Sequence, residues 1–303
     1  MILVFGTICL DRVRLVPRLP EVGGYVEIET QQTMLGGEAA NTAVHLRTWG
    51  RDVRLYGNPL GEGPFAEHLA RLLAQQGFDA DHLRPGGGAT PETDVYVTPD
   101  GERTMFGLGF STMQASVDPA HLPFERGAWF SADPNIDLPA RAAAREAAKA
   151  GMRLYLMDFN HPDDPLPEGS WWQSSTDWVG RRSDDDANAR WLEGWIARHH
   201  CFGVLTDGPR KLWCGGPGHP VRSYPTFTAR TVVDSTGAGD AFRAGMLNGL
   251  EQGWDVPDCL RFASAAGSLA CRSLGATSDI PSEAEVHALV ASMPDVAAAF
   301  EGW

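Results

Sequence analysis

Hydrophobic and polar residues along this chain follow two repeating patterns. Short, continuous apolar runs bounded by polar residues are typical of buried strands in a parallel sheet. They occupy residues 2–9, 128–132 and 153–160, and the segment 202–214 is predicted as a strand, a turn and a second strand. Longer segments, in which apolar residues recur at helical spacing, lie at 38–49, 64–77, 138–150 and 240–250. This alternation predicts an α/β fold with a doubly wound, mostly parallel sheet.

Two further segments alternate apolar and polar residues, as half-exposed strands do. One is YVEIET at 25–30, and the other is 93–108, where two strands flank the turn Pro99-Asp100-Gly101. We expect these segments to form a small β lid beside the core. The predicted boundaries assign residues 1–11, 37–91 and 110–303 to the α/β core, and residues 12–36 and 92–109 to the lid.

The stretch DSTGAGDAF at 234–242 has the features of a helix N-terminus with an accessible backbone. Gly237, Ala238 and Gly239 directly precede Asp240 and a segment with helical spacing. Unpaired amides and the helix dipole at such an end attract an anion such as phosphate. An aspartate beside that anion hole can take a proton from an attacking hydroxyl. The alternative from these residues alone is a tight turn with Asp240 in solvent.

Net charge and composition limit the partners of the chain. Its 303 residues carry a formal charge of −14 at pH 7, which disfavours a nucleic-acid or anionic-membrane surface. A nucleotide can still bind where Mg²⁺ and a helix N-terminus meet its charge. The first residues, MILVFGTICLDRV, resemble neither a signal peptide nor a membrane span. Five widely spaced cysteines without a CxxC pair predict free thiols and a cytoplasmic location.

Two ordered motifs resemble the signatures of the ribokinase-like (PfkB) carbohydrate kinase family. One is DSTGAGDAF, and the other is GGEAAN at 36–41, which is followed by a helix. The resemblance implies an ATP-dependent kinase in which Asp240 is the catalytic base and the backbone of 237–239 is the anion hole. It also implies that Asn41 contacts a substrate hydroxyl and that Gly36 and Gly37 form a lid hinge. The alternative for Asn41 is an ordinary capping residue.

The resemblance extends to residues at other strand ends. The family's first strand ends in an aspartate that binds sugar hydroxyls, and Asp11 occupies that place, although a charge that merely ends the strand would look the same. Asp158 and Asn160 match an Asp-x-Asn that supports the site. The resemblance further implies a nucleotide site at Thr206, Gly208 and Ser268, and a monovalent-cation site, for K⁺, at Asp234 and Ser278.

One segment departs from the family pattern. The family has an Asn-x-x-Glu motif that organises Mg²⁺ through water after a strand, which we assign here to TDWVGR at 176–181. This chain has Ser183-Asp184-Asp185-Asp186 instead, and Asp186 is the candidate for that carboxylate. The alternative is a solvated acidic helix start. Nearby tryptophans suggest packing or an interface and no further function: Trp171, Trp172, Trp178, Trp191 and Trp195.

These observations favour a kinase for a sugar or sugar-like compound. A nucleoside kinase and a non-catalytic sugar-binding relative remain alternatives. A Rossmann-type oxidoreductase is not expected, because FGTICLD lacks GxGxxG after the first strand. Glu38 stands where several sugar-phosphate and ribose kinases have Lys, which favours an uncharged substrate, while Arg12 or Arg103 leaves sugar acids open. The family resemblance also implies a possible homodimer through the lid.

Overall fold

The computed structural model describes residues 1–84, 87–180 and 184–303. Its strands are β1 Ile2–Gly6, β2 Cys9–Leu15, β3 Thr30–Gly36, β4 Val53–Gly57, β5 Glu92–Val97, β6 Arg103–Leu108, β7 Trp129–Ala132, β8 Arg153–Met157, β9 Trp171–Ser175, β10 Phe202–Thr206, β11 Lys211–Gly216 and β12 His219–Pro225. Its α-helices are α1 Glu38–Thr48, α2 Pro64–Gln75, α3 Leu138–Lys149, α4 Asp185–His199, α5 Ala238–Gln252, α6 Val256–Ala270, α7 Glu283–Ser292 and α8 Pro294–Ala298.

Eight strands form the main sheet, in the order β12-β11-β10-β9-β8-β7-β1-β4. All neighbours from β10 to β4 pair in parallel, and only β11 and β12 add antiparallel edges. The central strand β1 is buried on both faces: Ile2 and Val4 pack into one core cluster, and Leu3 and Phe5 into the other. Helices α1, α2, α5 and α6 cover the first face, and α3 and α4 cover the second. The predicted doubly wound α/β fold is therefore confirmed.

A second sheet of four strands, β3-β2-β5-β6, lies beside the first. It has a small core of its own, made by Val13, Met34, Val95 and Val97. The chain passes from β1 to β2 through only two residues, so the apolar run predicted as one strand at 2–9 serves both sheets.

The structure corrects the strand predicted at 25–30. The third strand is Thr30–Gly36, which pairs with β2 from Leu15 to Cys9. Residues 25–29 contain alternating apolar side chains, but they lie at the surface, and Tyr25 is 79% exposed. Burial of Met34 and Leu35 selects the later segment, because a strand is held where its apolar face meets a core.

The strand predicted at TDWVGR is also displaced. The strand is WWQSS at 171–175, and residues 176–180 form a turn. Trp172 is fully buried and packs against Trp191 and Trp195, with ring centroids 5.8 and 5.2 Å away. Trp171 is buried as well and stacks on Tyr155 and Phe202, so packing accounts for four of the five clustered tryptophans, whereas Trp178 is 57% exposed. Among the described residues no helix is long and apolar enough to cross a membrane.

Candidate active site

The N-terminus of α5 lies at the carboxyl ends of the parallel strands. Gly237 is its N-cap, with a left-handed φ of 79°, and Asp240 lies in the first turn. The amide of Ala241 donates to the carbonyl of Gly237 and is the first intrahelical donor, so the amides of Gly239 and Asp240 precede it and have no acceptor within the helix. The Ala238 amide makes a long, 3.3 Å hydrogen bond to Ser235 O. This end of the helix therefore presents amide donors and positive dipole to one spot.

Asp240 and Asn41 are in direct contact although 199 residues separate them. Asn41 Nδ2 donates to Asp240 Oδ2 at 2.8 Å, and both residues are at least nine-tenths buried. The capping interpretation of Asn41 is wrong, because the N-cap of α1 is Gly37 and Asn41 lies within the helix. The structure thus brings together the carboxylate of one motif and the side-chain amide of the other.

Other carboxyl groups surround Asp240. Asp133 follows β7 and is fully buried, Asp158 follows β8, and Glu38 begins α1. Burial raises the pKa of Asp240 to about 7; Asn41 and Arg243 lower that pKa, and Asp133 raises it. Burial likewise raises the pKa of Asp158 to about 7, against the hydrogen bond from Ser174. The site therefore holds two carboxyl groups, those of Asp240 and Asp158, whose pKa values lie near neutral pH.

One buried cation faces these carboxyl groups. Arg243 lies three residues after Asp240 on α5 and has no solvent exposure. Its Nε donates to Ser131 Oγ at 2.8 Å, and its Nη1 lies 3.9 Å from Asp133 Oδ2. Sequence reasoning missed Asp133 and Arg243. Two signals for them were present in the sequence. Asp133 directly follows the apolar run 128–132, and Arg243 lies one helical turn after Asp240 in an otherwise mostly apolar helix segment.

Residues of strands β8 and β9 hold the start of α5 in place. Gln173 Nε2 donates to Gly239 O at 3.0 Å, and Tyr155 Oη donates to Gln173 Oε1 at 2.7 Å. Asp158 has a left-handed backbone conformation with φ 60°, and its carboxyl group accepts from Ser174 Oγ and from the Trp178 side chain. Asn160 Nδ2 donates to the same Ser174 Oγ. These contacts fix the loops around the site, and Gln173 was another residue that the sequence did not reveal.

The passage between the two sheets is closely packed. A Cβ at Gly36 would lie 2.1 Å from the Asp11 carboxyl group, and one at Gly37, which has φ 98°, would lie 2.3 Å from Thr7 O. Asp11 lies within β2, so its predicted position at the end of the first strand is wrong, and so is the interpretation of it as a charge that ends that strand. It accepts from Cys9 Sγ at 3.2 Å, and burial raises its pKa to about 6.

The hairpin of β5 and β6 reaches the loop before α5. Ser235 N donates to Gly101 O at 3.1 Å, and Arg103 Nη1 donates to Ser235 Oγ at 2.8 Å. The positive charge of Arg103 lowers the pKa of Asp240, although less than Asn41 and Arg243 do. The second sheet is therefore closed onto the helix N-terminus within one chain.

The predicted nucleotide residues lie at the end of β10, in the turn that follows it and on α6. Thr206 ends β10 and donates from Oγ1 to Ser174 O at 3.3 Å, and Gly208 has φ 54°. Ser268 Oγ accepts from Ala229 N at 2.7 Å, which ties α6 to the loop after β12. Asp186 is exposed in the first turn of α4, where Asp184 is the N-cap. Ser183 lies outside the described residues.

The residues predicted for a monovalent cation have backbone partners. Asp234 is fully buried and accepts from Thr236 N, Thr236 Oγ1 and Gly275 N. Ser278 Oγ donates to Leu274 O at 2.7 Å. Within the ranges that the structure describes, no group of three or more His, Cys, Asp or Glu side chains is arranged to hold a metal ion. In the structure Asp234 therefore connects the loop before α5 to the loop that contains Gly275.

Two glycines of the predicted anion hole make a matched test of this geometry. Gly237 needs its left-handed φ, and a Cβ there would lie 2.3 Å from the Cβ of Ala276, whereas a Cβ at Gly239 meets nothing within 4 Å. We expect Gly237→Ala to lower the free energy of unfolding by at least about 1–2 kcal/mol. Gly239→Ala should leave it equal or slightly higher, because Ala favours helix. Thermal unfolding of both variants checks this, and equal melting temperatures would contradict it.

Comparison with known proteins agrees with this architecture. The model of the pfkB family carbohydrate kinases matches residues 1–122 and 168–283. An uncharacterized sugar kinase of Dictyostelium discoideum is 29% identical over 334 residues, with 92% of this chain and 94% of that protein covered.

Solved structures share the fold. Arabidopsis thaliana ribokinase complexed with ribose and ATP has a TM-score of 0.76 at 20% identity, covering 95% of this chain and 98% of that one. A Burkholderia thailandensis nucleoside kinase in complex with inosine has a TM-score of 0.74 at 20% identity, covering 96% of both chains. Because the family model spans most of the sequence, including both motifs that meet at Asp240, this chain belongs to the pfkB family of carbohydrate kinases, phosphotransferases whose acceptor is an alcohol group.

Proposed function

We propose that this protein transfers the γ-phosphoryl group of ATP to a hydroxyl of a carbohydrate or carbohydrate-like acceptor, with Asp240 as the base. The observation that carries the proposal is the contact between Asp240 and Asn41 at the N-terminus of α5. It combines a proton acceptor, a group that can orient a hydroxyl, and amides that can receive a phosphoryl group. Phosphoryl transfer depends mainly on such positioning and electrostatic stabilisation.

Asp240 suits proton removal from an alcohol. Its pKa of about 7 makes it a stronger base than an exposed aspartate, while a large fraction is still ionised at neutral pH. Asn41 fixes the orientation of the carboxylate through Oδ2, which leaves Oδ1 for the acceptor hydroxyl. The hydroxyl proton passes to Asp240 as the oxygen attacks phosphorus.

The transferred phosphoryl group would lie against the start of α5. The backbone of Gly237, Ala238 and Gly239 supplies amide donors and the positive end of the dipole. Gln173 keeps this backbone in position through Gly239 O. Arg103 adds a positive charge from the lid side, held by its bond to Ser235.

We propose ATP, Mg²⁺ and K⁺ as the cofactors, because the family resemblance implies them. Mg²⁺ prefers oxygen ligands and keeps several waters, and the exposed Asp186 carboxylate fits that requirement. When bound, Mg²⁺ would neutralise charge on the nucleotide phosphates. We assign the nucleotide side to Thr206, Gly208 and Ser268. We assign Asp234 and Ser278 to a K⁺ site, because carboxyl and hydroxyl oxygens are suitable ligands for this ion.

The test is ADP release from ATP and Mg²⁺ across acceptors that include ribose, fructose, a sugar acid, adenosine and fructose 6-phosphate. We expect turnover that depends on the acceptor and yields a phosphorylated product. Acceptors that raise the melting temperature without any phosphorylated product would instead favour a sugar-binding protein that lacks catalysis.

The homodimer through the lid stays a prediction. Strand β6 is an edge of the second sheet, and its side chains Met105, Phe106 and Leu108 are each more than half exposed. An exposed apolar edge is a typical site of strand pairing between chains. Sedimentation velocity over a range of protein concentrations should show a dimer, and a monomer at every concentration would contradict it.

A further inference from the structure

Trp178 is an exposed aromatic side chain whose polar edge is already bonded. It follows β9 in the turn 176–180 and is 57% exposed, whereas the other four clustered tryptophans are packed. Its backbone N donates to Ser175 Oγ at 3.2 Å, and its side chain donates to the Asp158 carboxyl group. Because an indole has one donor and no acceptor, the rings then present only apolar surface. A large aromatic ring held in this way is typical of a binding surface.

The hydrogen bond to Asp158 brings Trp178 to the surroundings of the proposed base. The carboxyl groups of Asp158 and Asp240 are close enough to interact electrostatically. Asp158 is held in its left-handed conformation, which is costly for a residue with a Cβ and is typical of functional sites. Ser174 Oγ donates to the same carboxyl group from β9. The indole therefore borders the space in which an acceptor would present its hydroxyl to Asp240.

The second sheet brings another exposed apolar side chain to this space. Side chains alternate along β6, so Met105 lies on the same face as Arg103, and Phe106 lies on the opposite face. Arg103 donates to Ser235 in the loop before α5, so its face of β6 is turned towards that helix. Met105 pairs with Val95, which is buried in the core of the second sheet, yet Met105 itself is 53% exposed. The site therefore has an exposed apolar side chain on each of the two sheets.

An aromatic group is the ligand that suits these two side chains. The hydroxyl groups of a free sugar project all around its ring, and against an indole or a thioether they would lose water without gaining a hydrogen bond. A planar heteroaromatic ring has two apolar faces, one for each side chain, and such rings stack on aromatic side chains. Methionine adapts to a partner of this kind because its side chain is flexible and polarizable.

We propose that Trp178 is a specificity-determining residue that stacks on a flat aromatic group carried by the acceptor, with Met105 covering the other face of that group from the second sheet. The acceptor class is then a glycoside of nucleoside type, whose sugar ring carries both the reacting hydroxyl and a heteroaromatic ring. This inference rests on the proposed function, because Asp240 fixes where the hydroxyl lies. It selects one class among the carbohydrate-like acceptors.

The test compares adenosine with methyl β-D-ribofuranoside, which have the same sugar ring and the same primary hydroxyl and differ in the aromatic base. For the wild type we expect kcat/KM to be at least about 10-fold higher for adenosine, which is the gain that stacking of a base on an aromatic side chain gives. Trp178→Ala should remove most of this preference by raising KM for adenosine, with little change in kcat. The methyl glycoside should be almost unaffected by the same substitution.

A second variant, Trp178→Phe, separates the ring from its hydrogen bond. Phe keeps a flat aromatic face but cannot donate to Asp158, so it loses the same bond as Ala does. We expect Trp178→Phe to retain most of the preference for adenosine. If Trp178 acted only by holding Asp158, both variants would lower kcat/KM equally for the two acceptors, and that result would overturn the proposal.

The matched control is Phe106→Ala, which removes an exposed aromatic ring from the opposite face of β6. It should leave the ratio of kcat/KM between the two acceptors unchanged, whereas Met105→Ala should lower that ratio in the same direction as Trp178→Ala. A wild-type ratio near one would contradict the role of Trp178. An equal fall of the ratio in Phe106→Ala and Trp178→Ala would contradict it as well.

Fluorescence quenching separates this inference from the kinase function. Trp178 is the one exposed tryptophan among the ten, all of which lie in the described ranges. The signal that acrylamide quenches in the wild type and that Trp178→Phe lacks therefore reports on this residue. With ADP present to fill the nucleotide site, adenosine should protect this signal and the methyl glycoside should not.

The two measurements fail independently. Protection by adenosine without turnover on any acceptor would refute the proposed reaction and leave the role of Trp178 standing. Turnover on adenosine without protection, and with an unaltered KM in Trp178→Ala, would refute the role of Trp178 and leave the reaction standing.

Discussion

Replacing Asp240 by Asn is expected to lower turnover by about 10²- to 10⁴-fold and to leave the protein folded. Asn has the shape of Asp, and its Oδ1 can still accept the hydrogen bond from Asn41 Nδ2. What the variant loses is the ability to take the hydroxyl proton. The control is Glu193→Gln, which makes the same carboxylate-to-amide change at an exposed residue of α4 and should leave turnover unchanged.

The same variant has an expected effect on stability, in the opposite direction. The pKa of Asp240 is about 7 in the folded protein and 3.8 in its ordinary state. Between these values the folded state binds the proton more tightly, so the stability from this group is present below about pH 4 and is lost as pH rises through 7. At pH 8 the wild type therefore carries a buried carboxylate that Asn does not. We expect Asp240→Asn to melt at a higher temperature than the wild type at pH 8, with a smaller difference at pH 5.

Two measurements together test the assignment. Steady-state ADP release should fall, while differential scanning calorimetry at pH 5 and pH 8 should show the stability gain. A variant that retains near-normal turnover would refute Asp240 as the base. A fall in turnover together with a lower melting temperature at both pH values would instead indicate a structural role for the carboxylate.

The sequence predicted those parts of the site that are contiguous. The anion hole and Asp240 lie in nine consecutive residues, and Gly36, Gly37 and Asn41 in six, so each motif carries its own local geometry. A glycine with positive φ before a helix is a local requirement, and each motif contains one, Gly37 and Gly237. The alternation of apolar runs and helices predicted the α/β class and the mostly parallel sheet.

The contacts between distant segments could not be predicted in the same way. Gln173 and Ser174 are polar residues in the strand WWQSS, yet both are buried, because Gln173 bonds Tyr155 and Gly239 and Ser174 bonds Asp158. Such burial depends on which strand ends meet. The same reason hid Asp133, which accepts from Thr7 N and Oγ1 across 126 residues.

Replacing Arg243 by Met is expected to destabilise the protein strongly at pH 8, by about 3–5 kcal/mol, the usual cost of removing one partner from a buried ion pair. Arg243 faces Asp133 at 3.9 Å, and its positive charge lowers the pKa values of Asp133, Asp158 and Asp240. Among the residues that the structure describes, its Nη1 and Nη2 have no hydrogen-bond partner, so the Met variant loses chiefly the bond to Ser131. The expected loss is therefore mainly electrostatic.

An electrostatic loss has a distinctive pH dependence. Without Arg243 the folded-state pKa values of these carboxyl groups rise further, so the folded protein binds protons over a wider range and loses more stability as pH increases. The difference between wild type and Arg243→Met should be large at pH 8 and smaller at pH 5, and Arg243→Lys should recover part of it at pH 8. Urea unfolding at the two pH values measures this. An equal loss at both, with no recovery by Lys, would mean that Arg243 acts through packing of its side chain and not through charge.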